Sequence, residues 1–329
     1  MTRIGIGLYG LNGHQLHQLP ANHPDGAIVA VAGIDSAKLP AHWRGVRVHA
    51  SLAVMLDDPA VQLVSLCSPR RSDQAADAIS CLEAGRHVYA EKPCAFSEAD
   101  LDRILTTAAR TGCRFHDQAG TVVAEPWWTM RRLVAEGAIG QVIQIWAQKS
   151  YPLYDWRPQD EAIDGGLLRQ AGIHAVRMIH HVAQVRVLDI EACETRLGNP
   201  HAGDLRIAVA LTMTLASGAL AQATINYCQP KAFGTWGNDQ LRLFGTKGLI
   251  EAVDGGTRRR LVTHERDHGA FPILSSRPEY HDLVLASIAH GEPMPWSSET
   301  ELEPTRTILR AHAAARRTAS DRQTAFHRS

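Results

Sequence analysis

Three groups of residues in this chain have the types and spacing of chemistry. The first is Glu91-Lys92-Pro93, where the strand His87-Val88-Tyr89-Ala90 ends on an acid, a base and a proline with no turn residue between. Proline lacks an N–H and disfavours helix in the residue before it. The backbone at Lys92 should therefore stay extended and aim an ammonium out of the strand's end, where ligands bind in an open α/β sheet. The second group lies on a helix expected over 165–183. At about 100° per residue, Gln170, His174, Arg177 and His181 fall within ~60° of one another, while Leu168, Ala171, Ala175, Met178, Ile179 and Val182 cover the other side. Such a stripe must face water, a polar interface or a cleft, and Gly165-Gly166 on its approach favours the cleft, because glycine lets a backbone or ligand come close. The third is the stretch SYPLYDWRPQDE, residues 150–161, with Tyr151, Tyr154, Trp156 and Arg157 in a proline-flanked loop. Rings and a guanidinium there suit a sugar ring or an anionic substrate group, or else a packed staple of the loop.

These groups need elements to position them. Strands are expected at Arg3 to Leu8, at 27–35, at 61–69 stopped by Pro69, at 87–90 and at 113–117, with a short helix over 13–20. A further helix ends near Gly85, and another opens on the capping box Ser97-Glu98-Ala99-Asp100. Near-continuous apolar strands alternating with helices predict a doubly wound parallel sheet. After about residue 120 the rhythm changes. A helix at 126–136 precedes an alternating strand, and after the long helix come strands at 188–196, 205–215, 219–228, 239–244 and 248–253, then helices at 278–290 and 299–317. The fold class expected is α/β, an N-terminal Rossmann sheet followed by a domain with a large, mostly antiparallel sheet. The domains expected are 1–120 for dinucleotide binding and 121–329 for substrate binding and oligomerisation.

The first strand leads into Leu8-Tyr9-Gly10-Leu11-Asn12-Gly13, a glycine-bearing turn of the kind that approaches a pyrophosphate. Leu8 stands where the first glycine of that pattern belongs, and Gly33 where its acid belongs, with Asp35 two residues on. Ser68-Pro69, Ala84-Gly85-Arg86-His87-Val88 and Glu91-Lys92-Pro93 together resemble the glucose–fructose oxidoreductase/inositol dehydrogenase (Gfo/Idh/MocA) family. The stretches EGAIGQV (136–142), GGLLRQAGIHAV (165–176) and LRLFGTKGLIEA (241–252) extend the resemblance along nearly the whole chain. It implies that Gly10, Leu11, Asn12 and Gly13 line the pyrophosphate, that Asp35 meets the ribose, and that Ser68, Pro69 and Glu91 border the nicotinamide half; Tyr9 and Asp73 are further candidates for cofactor contact. It further implies that Lys92 sits between nicotinamide and substrate and that His174 transfers a proton; Gln170, Tyr154, Trp156 and Arg157 are the further candidates for substrate contact. Three departures stand out: Asp73 replaces a usual His, Gln170 a usual Asp, and Arg177 another common Asp.

The function expected is NAD(P)-dependent oxidoreduction of a secondary alcohol or ketone on a sugar, cyclitol or related polyol. The alternatives are NAD-assisted elimination or glycoside cleavage, and a non-catalytic dinucleotide-responsive regulator. NAD(H) is favoured by Asp35, with NADP(H) the alternative. Lys plus Arg and Asp plus Glu both number 34, which argues against a nucleic-acid partner. The six cysteines lack metal-ligand spacing, so no metal is expected and the thiols read as free in a reducing compartment. The Arg258-Arg259-Arg260 and Arg316-Arg317 clusters read as solvated surface. No apolar run approaches a membrane span, and the MTRIGIG start lacks signal-peptide architecture. A cytoplasmic homodimer or homotetramer acting on a small sugar-like molecule is the expectation.

Overall fold

The computed structural model describes residues 3–43, 45–118, 120–273 and 279–326; position 278 of an expected helix lies outside them. The chain divides into two units: residues 1–118 with 162–165 and 278–302, and residues 119–161 with 166–277 and 303–329. Among the described residues, no helix is long and apolar enough to cross a membrane.

The first unit is built on a parallel sheet of β1 (Ile4–Tyr9), β2 (Gly26–Ala32), β3 (Arg47–His49), β4 (Leu63–Leu66), β5 (His87–Ala90) and β6 (Phe115–Asp117), in the order β3-β2-β1-β4-β5-β6. The order reverses between β1 and β4, the switch point where doubly wound sheets open a ligand crevice. The middle strands are buried on both faces, as covering helices on each side require. In the helix Glu98–Thr111, the Ser97 hydroxyl accepts the Asp100 N–H at 3.1 Å, and Gly112 ends it at φ 70°. The helix expected over 13–20 does not form; only a single 3-10 turn, Leu16–Gln18, appears. Pro20 cannot donate the N–H that a longer helix would need. β3 was not expected from the sequence, and its three residues are too short and too polar to show an alternating pattern.

The late segment 278–302 fastens to the edge strand β6. His116 Nδ1 lies 2.9 Å from one Glu301 oxygen, the Asp117 N–H donates to the other at 3.0 Å, and Arg114 donates to the Ser287 hydroxyl.

The second unit carries an eight-stranded sheet of β7 (Val142–Ser150), β8 (Val187–Thr195), β9 (Ala208–Leu215), β10 (Leu220–Asn226), β11 (Asn238–Gly245), β12 (Gly248–Val253), β13 (Arg258–Thr263) and β14 (Asp267–Gly269), ordered β14-β13-β12-β11-β7-β10-β9-β8. Among the described residues of this sheet, β7 and β10 pair parallel and the other pairs are antiparallel. β9 alternates buried and exposed residues, the signature of a sheet covered on one face. The arginine cluster at 258–260 lies in β13, where Arg258 and Arg260 remain exposed as expected. Arg258 pairs with Asp254 at 2.5 Å, and Arg260 forks onto Asp267.

The long helix is not uniform. An α segment, Ile173–Arg177, is flanked by π-helical turns at Leu168–Gly172 and Met178–Val182. Its approach is locked by Glu161, whose carboxylate meets Arg169 at 3.0 Å, His312 at 3.1 Å and Arg316 at 3.0 Å. Burial opposes ionisation of Glu161, but its hydrogen bond to His312 and the two guanidiniums prevail and hold the carboxyl at about 2. His312 and Arg316 belong to the last helix, Ser298–Phe326.

Candidate active site

The turn after β1 gathers most of the expected cofactor residues of the first unit. Gly10 has φ 68°, and a Cβ there would stand 2.1 Å from the Cys67 carbonyl oxygen. Gly13 has φ 124°, and a Cβ there would meet Glu91 Cγ at 2.6 Å. Both glycines thus let the turn lie flat on the ends of β4 and β5. Asn12 Nδ2 donates to the Pro69 carbonyl at 3.2 Å and to the Ile163 carbonyl at 2.5 Å. Leu11 is half-buried beside it, and Tyr9 closes β1 with its ring against Gly33. Burial, then the charges of Asp77 and Asp73, raise the Tyr9 hydroxyl's pKa above its usual value. Asp35 is exposed just beyond β2, with its carboxylate accepting the Ala37 N–H at 3.0 Å. Ser68 is buried and donates to Asp77 at 2.6 Å, whereas Asp73 is exposed.

These residues fit a dinucleotide. Two glycines in the left-handed region bring the backbone flat to the switch point, Gly13 and His14 are exposed there, and Asp35 stands uncovered at the next strand end. Among the described residues, the turn is followed by a short 3-10 turn, Leu16–Gln18, rather than by a long helix whose dipole would concentrate positive charge there.

At the end of β5, Glu91 and Lys92 are both buried, with Lys92 2% exposed and its Nζ 3.5 Å from Glu91 Oε1. The Lys92-Pro93 peptide bond is cis. Glu91 also accepts the His14 N–H at 2.8 Å and faces the His14 ring at 3.1 Å. Arg71, fully buried, donates to the Lys92 carbonyl at 2.8 Å and to the Asn12 carbonyl, and lies 4.0 Å from Glu91. Burial works against a charged Glu91, yet Lys92, the His14 hydrogen bond and Arg71 outweigh it and hold the carboxyl at about 2. The carboxylate is therefore permanently ionised near neutral pH, and it ties the β1 turn to the strand that carries Lys92.

The sequence did not single out the residues that do this fastening. Gln74 is buried and donates to the Glu91 carbonyl and, at 3.1 Å, to the Pro93 carbonyl, while accepting the Ser68 N–H at 3.3 Å. Gln15 Nε2 donates to the carbonyls of Tyr9, Gly10 and Ser65 at 3.2, 3.0 and 3.1 Å. A signal existed for Gln74, since it shares the apolar face of its helix with Ala75, Ala78, Cys81 and Leu82.

In the second unit, His174 sits in the α segment between the two π turns and is buried, with Nδ1 2.9 Å from the Thr121 hydroxyl. Gln170 lies within the first π turn and is half-buried. Arg177 and His181 are buried too, so the polar stripe is not a solvated face. A π turn carries more residues per turn than an α-helix, so the spacing of these side chains departs from a uniform 100° wheel.

The loop residues form a cluster of rings around a cation. Tyr154 stacks with Trp156 (5.7 Å, 12°) and with Trp236 (5.7 Å, 13°). Arg157 is 4% exposed, with its guanidinium carbon 4.7 Å from the Trp156 ring and 4.6 Å from that of Tyr227. Among the described residues, no group of three or more His, Cys, Asp and Glu could hold a metal ion.

Comparison with known proteins sets these two halves in context. Residues 3–118 match the model of an oxidoreductase family with an NAD-binding Rossmann fold, and residues 127–251 match the GFO/IDH/MocA C-terminal domain. The chain is 25% identical over 259 residues to a myo-inositol 2-dehydrogenase of Thermotoga maritima, covering 74% of this chain and 75% of that protein. It is 31% identical over 182 residues to an uncharacterised oxidoreductase of Rhizobium meliloti, spanning 52% of this chain and 53% of that one, about half its length. A solved oxidoreductase structure from Thermotoga maritima shares the fold, with a TM-score of 0.85 at 24% identity over 95% of this chain and 98% of that one.

Proposed function

The chain belongs to the GFO/IDH/MocA family of NAD-binding oxidoreductases, and from that premise we propose that it interconverts a secondary alcohol and its ketone on a sugar, cyclitol or related polyol. NAD(H) is the redox partner in this proposal and NADP(H) the alternative, because exposed Asp35 would meet ribose hydroxyls but repel a 2′-phosphate. When bound, the nicotinamide accepts or donates the hydride. The turn of Gly10, Leu11, Asn12 and Gly13 would hold the pyrophosphate, with Ser68, Pro69 and Glu91 bordering the other half.

The observation that carries the proposal is the buried Lys92 ammonium 3.5 Å from a carboxylate that its neighbours keep ionised. Lys92 stabilises negative charge on the substrate oxygen, and Glu91 positions it. His174 moves the proton through Nε2, since its Nδ1 is engaged by Thr121. Flanking π turns support this role, because such turns occur frequently at functional sites. Gln170 offers hydrogen bonds there without the charge that an aspartate would bring.

Self-association through the second unit's sheet belongs to the same proposal. Leu220 and Phe244 stand exposed on either side of Gln144, with Trp146 along the same face. A cytoplasmic setting goes with it, because the six scattered cysteines read from the sequence as thiols of a reducing compartment.

Titration calorimetry with the four dinucleotide forms, followed by a polyol screen for dinucleotide reduction, tests the function. Lys92→Met should lower turnover ~10²–10³-fold while dinucleotide affinity stays within a few-fold. His174→Ala should lower it ~10²–10⁴-fold. The absence of binding to all four forms would remove the proposal, and near-normal turnover in Lys92→Met would make that lysine structural.

A further inference from the structure

Arg157 has a problem that its neighbours do not solve. Charged side chains are almost never fully buried unless paired, and this guanidinium is 4% exposed. Its Nε and Nη2 are both buried with no hydrogen-bond partner among the described residues. Aromatic faces surround it: Tyr227 at 4.6 Å, Trp156 at 4.7 Å, Tyr151 at 5.3 Å and Trp236 at 5.6 Å from the guanidinium carbon. Ring quadrupoles attract a cation but accept no conventional hydrogen bond from it. Lys149 faces the same Tyr151 ring at 4.7 Å and shows the contrast, because Asp239 lies 2.7 Å from its ammonium. The nearby acid is thus already engaged by another cation.

The two unpartnered nitrogens are adjacent. Nε and Nη2 form one edge of the guanidinium, two parallel donors at the spacing of a carboxylate's two oxygens. Over them lie Trp156 and Trp236, themselves 60% and 53% exposed, their ring planes 3° apart. Flat apolar faces of that kind suit the C–H face of a sugar or cyclitol ring. Gln229 adds a second orphan in the neighbouring segment, a buried amide oxygen without a partner, which can accept a ligand hydroxyl.

We propose that Arg157 recognises a carboxylate, and that the molecule taken by this site is a carboxylated sugar or cyclitol such as a uronate or a polyhydroxylated ring acid. This deepens the oxidoreductase reading and rests on it for the fate of the bound molecule, though not for the binding. The indoles over the guanidinium shift as the carboxylate seats against Nε and Nη2, so binding reports itself in tryptophan emission.

The test is a fluorescence titration of the full chain, without cofactor, using matched pairs: glucuronate against glucose, galacturonate against galactose, and quinate against myo-inositol. In at least one pair the acid should bind roughly 10- to 100-fold more tightly than its neutral partner, the worth of hydrogen bonds to a charged group. Arg157→Lys keeps a charge but loses the two-donor edge, and should erase that preference. Wild type decides the matter even if the variant misfolds: no preference for the acid in any pair overturns the inference. Tighter binding of glucose 6-phosphate than of glucuronate overturns it too, in favour of a phosphate site. A chain that binds the acids but never reduces a dinucleotide keeps this inference and loses the oxidoreductase function. One that oxidises neutral polyols with no acid preference does the reverse.

Discussion

A carboxyl group buried away from water ordinarily keeps its proton; Glu91 does the opposite because Lys92, His14 and Arg71 converge on it. Its pKa stands at about 2 in the folded chain against 4.5 for a free glutamate. A depressed pKa contributes stability that is complete above the unfolded value and lost as pH falls through the folded one. Unfolding free energy should therefore drop between pH 4.5 and about 2. Glu161 contributes in the same window from the second unit. In Glu91→Gln the slope should be shallower and the plateau near neutral pH lower, because the buried Lys92 loses its counter-charge. Denaturant titrations across that pH range check both, and an unchanged slope would show that Glu91 titrates normally. The sequence displayed the acid and the base side by side, but it could not show His14 and Arg71, which approach from other strand ends. Contacts between residues far apart in the chain leave no local pattern.

Among the elements, the helix Gln74–Glu83 does more than cover the sheet. Its first residue bonds the backbone on both sides of Lys92, through the Glu91 and Pro93 carbonyls. Gln74→Leu should lower stability by about 2–4 kcal/mol, from lost bonds and the buried groups left unsatisfied, and should reduce turnover with it. Thermal unfolding beside a turnover assay measures the pair; a variant as stable as wild type would show that the strand end holds its own shape. Strands β4 and β5 were legible because they are mostly apolar, and the helix after Ser97 because its cap was written in the sequence. The helix expected behind the first turn does not extend, because Pro20 lacks the N–H that a longer helix would need. The polar residues around His174 were legible as a group turned to a cleft rather than to water, but the π turns on either side were not, since no local pattern marks them. Arg157 and its rings were visible as types in a loop, whereas Tyr227 comes from the far end of β10 and could not be associated with them beforehand.

At the scale of the whole molecule, the chain returns to its first unit after building most of its second. Residues 278–302 bring Glu301 and Ser287 to β6, where they meet His116, Asp117 and Arg114. A chain ending at residue 277 keeps all six strands of the first sheet but loses these partners. We expect it to unfold at lower denaturant than the full chain when followed by amide exchange at 115–117, and equal protection there would show that the late segment is dispensable. The same arrangement has a consequence for synthesis. Domains generally fold as units while the ribosome works at about 5–20 residues per second, so the stretch between residues 118 and 278 delays completion by on the order of ten seconds. For that interval β6 is an open sheet edge, the kind of surface that templates pairing with other chains. The nascent polypeptide, rather than the finished protein, is then the natural client of a chaperone.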